Sequence, residues 1–131
     1  AQRLVDKVNQ TNGIELLGFV DDLEPLFKQS RVFVAPLTFG SGIKVKVLNS
    51  MCRGLPISTT SVGAEGIDAD HLTHLCIDDT AEGMANSIDR LLHDQVLWQT
   101  LEQKSRDRVR EKYTWDRVLG YMVDEINQLS A

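Results

Sequence analysis

Arg31-Val32-Phe33-Val34-Ala35-Pro36-Leu37-Thr38-Phe39-Gly40-Ser41-Gly42 is the stretch on which the fold turns. From Val32 to Leu37 the apolar residues are continuous rather than alternating. A strand of that kind has both faces covered, the habit of a parallel strand between helices. Thr38 to Gly42 follow as a glycine-bearing turn. Val45, Leu48 and Cys52 then recur at helical spacing, and Gly54 closes the helix.

The same alternation extends in both directions. Upstream, Leu4, Val5 and Val8 mark a helix that Asn12-Gly13 stops, and Ile14 to Val20 reads as a short buried strand. Asp22 is a good N-cap for a helix with Pro25 in its first turn, where a missing N–H costs no helix bond. Leu23, Leu26 and Phe27 form that helix's inward face. Downstream, Leu55 to Thr60 is a strand followed by a second glycine loop, Ser61 to Gly66. Leu75 to Ile77 is another strand. Asp79 with Glu82 reads as a capping box, ahead of a stripe formed by Met84, Ile88, Leu91 and Leu92. A polar helix spans Val96 to Tyr113. A last helix aligns Trp115, Val118, Leu119, Met122, Ile126 and Leu129. Strands alternating with helices predict an α/β layer fold with a mainly parallel sheet. Parallel strands are expected near Glu15–Val20, Val32–Leu37, Pro56–Thr59 and Leu75–Ile77.

Composition narrows the classes. The 131 residues suffice for a single domain. Hydrophobic residues make up 42% and charged residues 25%, a globular balance. Fourteen basic against nineteen acidic side chains give −5, the wrong sign for a general nucleic-acid binder. No apolar run approaches the ~20 residues of a membrane helix. The chain begins Ala1-Gln2-Arg3, without an initiator Met, and reads as a piece of something longer. Cys52 and Cys76 lie in apolar stretches and are expected as buried free thiols of a reducing compartment.

Ligands of such sheets bind outside the carboxyl ends of the strands, here the loops at Phe19–Asp22, Thr38–Gly42 and Ser61–Gly66. Phe39-Gly40-Ser41-Gly42 lets a ligand approach bare backbone, and the helix start behind it offers N–H groups to an anion such as phosphate. Lys44 and Lys46 stand in the first turn with no acid. That opposes the helix dipole, and a bound anion would remove the conflict. The plainer reading is two solvated lysines on an ordinary turn. The spacing fits neither a P-loop nor a first Rossmann turn. Asp78-Asp79 reads as a strand end and helix cap. His71 and His74 lack a third ligand, so no metal is expected. Trp98 and Trp115 read as packing residues rather than sugar platforms.

Several stretches together resemble the second domain of group-1 glycosyltransferases. They are Gly18 to Leu23, Phe33 to Leu37, Phe39 to Lys44, Leu48-Asn49-Ser50-Met51, Gly54-Leu55-Pro56-Ile57, Gly63-Ala64-Glu65-Gly66 and Tyr113-Thr114-Trp115-Asp116. The resemblance covers nearly the whole chain in the right order. It implies a Rossmann-like three-layer αβα fold, part of the C-terminal domain of the GT-B architecture. Residues 1–131 would be a single, partial donor-binding domain, with the acceptor domain absent. The implied activity is retaining transfer of a sugar from a nucleoside diphosphate to a glycan or lipid-linked acceptor, in polysaccharide biosynthesis. No cofactor is implied beyond the nucleotide-sugar donor, and nucleic acid is not a partner. The implied setting is cytoplasmic, with the longer protein peripheral at the membrane.

By that resemblance, the backbone of Phe39, Gly40, Ser41, Gly42 and Ile43, with Lys44, lies against the donor sugar and diphosphate. Val20 lies near the nucleobase, and Glu65 faces the transferred sugar or the acceptor. No catalytic residue is assigned. Asn49 is a departure, because the family usually carries a Glu there that accepts from ribose hydroxyls. Asn accepts only through its carbonyl oxygen and brings no charge. The first Glu of that pair has no counterpart near Thr38 and Phe39. The family's upstream Arg/Lys pair, which neutralises the diphosphate, is not in this chain. An inactive fragment is therefore expected, with a non-catalytic binding or interaction module of the same fold as the alternative. In the full strand order 3-2-1-4-5-6 this chain would hold 3, 4, 5 and 6. Glu15–Val20 should then stand apart from Val32–Leu37, leaving an uncovered sheet open to a homodimer or strand exchange.

Overall fold

Three short strands pair in parallel in the order β1 (Phe33–Ala35), β2 (Ile57–Thr59), β3 (Cys76–Ile77). The computed structural model describes residues 2–117, 119–120 and 127–128. The register sets Phe33 against Ile57, Ala35 against Thr59 and Ser58 against Cys76. Side chains alternate along a strand, so Ile57 and Thr59 face one side and Ser58 the other. On the first side, Val47 and Met51 of α3 (Val45–Arg53) close with Ala35, Ile57, Ile67 and Leu75. On the second, Cys76 meets Leu91 of α5 (Ala81–His93) and Leu101 of α6 (Gln95–Lys112), with Val32 packed against them. Val109 and Tyr113 bring the far end of α6 to the first cluster. The result is a three-layer αβα arrangement of Rossmann-like type. Met51, Ile57, Leu75, Leu91 and Leu101 are wholly buried, each contributing about 1.5–3 kcal/mol of apolar transfer.

Three further helices complete the described part: α1 (Gln2–Asn9), α2 (Glu24–Gln29) and the single turn α4 (Ser61–Ala64). Leu23 rather than Asp22 is the N-cap of α2, and Asp22, one residue earlier, accepts from the Glu24 N–H at 2.9 Å. Pro25 sits in that first turn. Gly54 closes α3 in the left-handed region, at φ 70°.

Several expectations need correction. Residues 14–20 form no ladder, Gly18 within them stands at φ 69°, and Ile14, Leu16, Leu17 and Phe19 are exposed. A strand is made by its neighbour, and no described residue supplies one. The expected separation from β1 does hold, for β1 pairs only with β2 among the described residues. The buried face of α3 is Val47, Ser50 and Met51 rather than Val45, Leu48 and Cys52. Val45 is exposed and Leu48 half-buried. Cys52 is an exposed free thiol, whereas Cys76 is buried, and burial pushes its pKa up. Leu23 and Leu92 are largely exposed. Thr80, not Asp79, caps α5, with its hydroxyl accepting from the Gly83 N–H at 3.0 Å. The loop after β2 contains the turn α4. In the last expected helix Val118, Met122, Ile126 and Leu129 lie outside the described residues, and Trp115 and Leu119 are exposed.

His74 shows how α6 is joined to β3. Its ring is buried, Nδ1 accepts from the Asp70 N–H at 2.9 Å, and its carbonyl accepts from the Ser105 hydroxyl. An accepting Nδ1 must be unprotonated. Burial, with Arg108 nearby, lowers the pKa below 6.5. The unfolded chain therefore takes up this proton at a higher pH than the folded one. Stability from His74 is complete above the unfolded pKa and is lost as pH falls from about 6.5 towards the folded value. Urea unfolding midpoints should drop across that window, and the His74→Asn chain should show a shallower drop.

Candidate anion site at the ends of β1 and β2

Pro36 turns the chain as it leaves β1. The Leu37 N–H reaches back to the Ala35 carbonyl at 2.9 Å, a turn about one residue that the fixed φ of proline suits. Two hydroxyls, from Thr59 at the end of β2 and from Thr60 just after it, then hold the turn. Thr59 Oγ1 donates to the Ala35 carbonyl at 2.8 Å, and Thr60 Oγ1 donates to the Leu37 carbonyl at 2.5 Å. Thr60 Oγ1 also accepts from the Gly63 N–H at 3.1 Å, capping α4. A Cβ at Gly63 would stand 1.9 Å from Thr59 Oγ1, so only glycine lets α4 come this close. Asp79 accepts from the Ser61 N–H and hydroxyl at 2.8 and 2.9 Å. The ends of all three strands are thus tied by side chains.

On this base stand the two glycine loops. Gly40 and Gly42 have φ of 120° and 74°, where side-chain-bearing residues are rarely found. Nothing lies within 4 Å of a Cβ placed at Gly42, so its backbone faces open space. The helix itself begins at Val45, with the Lys44 carbonyl accepting from the Val47 and Leu48 N–H groups. Ile43 packs on Gly66, where a Cβ would come within 3.0 Å of its Cγ1. Lys44 bends back and donates to the Gly42 carbonyl at 2.5 Å and to Glu65 Oε2 at 3.4 Å. Its side chain is only 10% exposed. It is a clip between the loops, not a solvated lysine.

Lys46 behaves differently. It is exposed, and it lines two adjoining cavities. One, of about 440 Å³, is walled by Pro36, Phe39, Gly40, Ser41 and Lys44. The other, of about 280 Å³, is walled by Val20, Asp21, Phe33 and Asn49. Of the expected residues, Phe39, Gly40, Ser41 and Lys44 line the first cavity and Val20 and Asn49 the second, whereas Gly42, Ile43 and Glu65 line neither. Ile43 and Glu65 stand behind Lys44. The Asn49 side chain is exposed, while its carbonyl accepts from Arg53 Nη1 at 3.2 Å. Sequence reasoning noticed Lys46 only together with Lys44. The feature that separates them is Glu65, 21 positions away from Lys44.

The remaining candidates have local duties. His71 Nδ1 accepts from the Ile77 N–H at 2.9 Å. Asp78 accepts from the Ser87 hydroxyl at 2.5 Å. Among the described residues no three His, Cys, Asp or Glu side chains converge as a metal site would need. No described helix is long and apolar enough to cross a membrane.

A parallel αβα layer with glycine turns gathered at the carboxyl ends of its strands is the framework of the nucleotide-binding Rossmann-like class. The family is shown by comparison. The family model for group 1 glycosyl transferases matches residues 1–94, and the chain belongs to that family. Sucrose synthase 2 of Oryza sativa subsp. japonica is 26% identical over 115 residues, covering 83% of this chain and 13% of that protein. Sucrose synthase 1 of Zea mays is 28% identical over 115 residues, covering 83% and 14%. The chain thus spans a small fraction of the length of these relatives. The structure of sucrose-phosphate synthase from Thermosynechococcus elongatus matches with a TM-score of 0.78 at 23% identity, over 98% of this chain and 33% of that one. That likeness establishes a shared GT-B fold.

The two lysines should part company on substitution. Lys44→Met leaves the Gly42 carbonyl and Glu65 without their donor, and a loss of about 1–2 kcal/mol in urea unfolding is expected. Lys46→Met, at an exposed position, should stay within about 0.5 kcal/mol of the parent.

Proposed function

We propose that this chain is the donor-binding part of a retaining glycosyltransferase, which moves a sugar from a nucleoside diphosphate to a glycan or lipid-linked acceptor. The observation that carries the reading is Lys46, an exposed cation at the junction of two cavities in the first turn of α3. A cation there is disfavoured by the helix dipole by about 0.3–1 kcal/mol. A diphosphate lying along the glycine turn relieves that conflict and accepts from backbone N–H groups near the helix start. The nucleoside then extends towards Val20 and Asn49, and the sugar towards the Gly40–Gly42 turn and Glu65. No metal is required in this scheme, for the charge of the diphosphate is met by Lys46, the helix start and cations of the longer protein. The family membership supports a nucleotide-sugar donor, and the sucrose synthases it resembles are themselves named for making a carbohydrate product.

The wider assignment is polysaccharide biosynthesis in the cytoplasm, with the longer protein peripheral at the membrane and its acceptor domain completing the cleft. The outer edge of β1, which pairs with no other strand among the described residues, is the place for a further strand or for a second copy of the chain. Asn49 favours a second reading, a binding module of the same fold without catalysis. Its neutral side chain offers a ribose one good acceptor where a carboxylate offers two oxygens and a charge.

Calorimetry with UDP and GDP on the longer protein tests the donor site. Gly42→Val puts a β-branched residue at positive φ, and binding should vanish while the circular dichroism spectrum is kept. Asn49→Glu should strengthen binding by about 1.5–3 kcal/mol, the worth of a hydrogen bond to a charged group. Unchanged affinity in Gly42→Val would reduce the loop to a turn.

The 131-residue chain by itself should turn over no nucleotide sugar. Transfer in a cleft needs a second wall to exclude water and hold the acceptor. Any product from UDP-glucose with this chain alone, followed by chromatography, would contradict the scheme.

A further inference from the structure

A third cavity, of about 410 Å³, opens at the other end of the sheet. Its walls come from Ser30, just before β1, from Gly54 and Leu55, just before β2, and from α2 and α6. It lies at the amino ends of the strands, away from the glycine loops. Its size falls in the range of small-ligand sites.

The aromatic wall is held rigid. Trp98 donates its indole N–H to the Arg31 carbonyl at 2.8 Å, and the Arg31 guanidinium lies 5.3 Å from the indole ring. Arg31 is itself fixed by Gln95 at 2.9 Å. The polar rim carries three cations, Lys28, Arg53 and Arg106, and two carboxylates, Glu24 and Glu102. Arg53 pairs with Glu24, and Arg106 with Glu102 at 3.3 Å. Arg106 also donates to the Arg53 carbonyl at 2.8 Å. An anionic ligand that engages Arg53 or Arg106 would have to take that guanidinium from its carboxylate and leave the carboxylate unpaired. A neutral ligand would not. It would still meet donors and acceptors side by side, with Lys28 and the Ser30 hydroxyl adding to them.

We infer that this cavity is a binding site for a neutral saccharide, with the sugar's C–H face on Trp98 and its hydroxyls bridging the Arg106–Glu102 pair. A hydroxyl both donates and accepts, which suits a guanidinium beside a carboxylate. A C–H face suits an indole that is already immobile, so little ordering entropy is lost on binding. The inference goes beyond the donor site, which lies at the opposite end of the strands and would work without it.

The test is a ¹⁵N-edited NMR titration of the full chain with maltose, cellobiose and sucrose at millimolar concentration, and with inorganic phosphate. At least one disaccharide should shift the Trp98 indole and Gly54 amide signals, and phosphate should not. Glu102→Gln keeps the shape and removes the charge, and it should weaken that response about tenfold, equivalent to 1.4 kcal/mol. The signals of Gly40, Gly42 and Lys46 should respond to UDP equally in the parent and in Glu102→Gln, which separates this site from the donor site. No shift at Trp98 with any of the three sugars would overturn the proposal. So would a response to phosphate alone, or a sugar response untouched by Glu102→Gln.

Discussion

The hydrogen bond from the Thr59 hydroxyl to the Ala35 carbonyl, 2.8 Å long and buried, is the constraint on which the upper half of the molecule rests. The β1–β2 ladder is only three residues long on each strand. Such a ladder fixes register weakly on its own. Thr59 extends it sideways, and Thr60 extends it forwards to the Leu37 carbonyl. Both carbonyls belong to the turn at Pro36, so the direction in which the chain leaves β1 is set from β2. The same pair of threonines fixes α4, Thr60 as its cap and Thr59 as the atom against which Gly63 must be bare. One loop therefore cannot shift without the other.

This coupling explains why the two lysines of α3 have different roles. Once the loops stand at a fixed distance, Glu65 is within reach of position 44 and not of position 46. Lys44 is drawn back, and its charge is met within the protein. Lys46 projects into the space where the two cavities join. The dipole conflict at the helix start is thus half resolved by the fold and half left for a ligand.

Much of this was legible in the sequence. The unbroken apolar run at Val32–Leu37 announced a strand of the parallel sheet, although on one face Val34 is 40% exposed rather than covered. Gly54 announced the helix stop, and the glycines at 40 and 42 announced a tight turn with bare backbone. The misreadings have a common cause, which is that local pattern does not say what lies opposite. Val45, Leu48 and Cys52 satisfy helical spacing as well as Val47, Ser50 and Met51 do. Ile57, fixed in the sheet, chooses between them. Ile14 to Val20 has the composition of a strand, but a ladder needs a neighbour. Asp79 and Thr80 are both good caps, and Ser61, 18 positions earlier, takes Asp79 away. The pairing of Lys44 with Glu65 was invisible for the same reason.

The two ends of the sheet also differ in how their charges are met. At the amino ends of the strands, Arg31, Arg53 and Arg106 lie on aromatic rings or beside carboxylates, and each has more than one partner. Arginine suits this, because its planar fork can stack and bond together. At the carboxyl ends the cations are lysines, compact charges on flexible stems, set beside glycines with open space around them. A guanidinium network resists rearrangement, since moving one member leaves another unpaired. An exposed ammonium on a flexible stem does not resist in this way, and it can follow a charge that arrives and departs. The strands between the two ends hold both arrangements in one frame: a pre-set end that offers shape, and an adjustable end that offers charge.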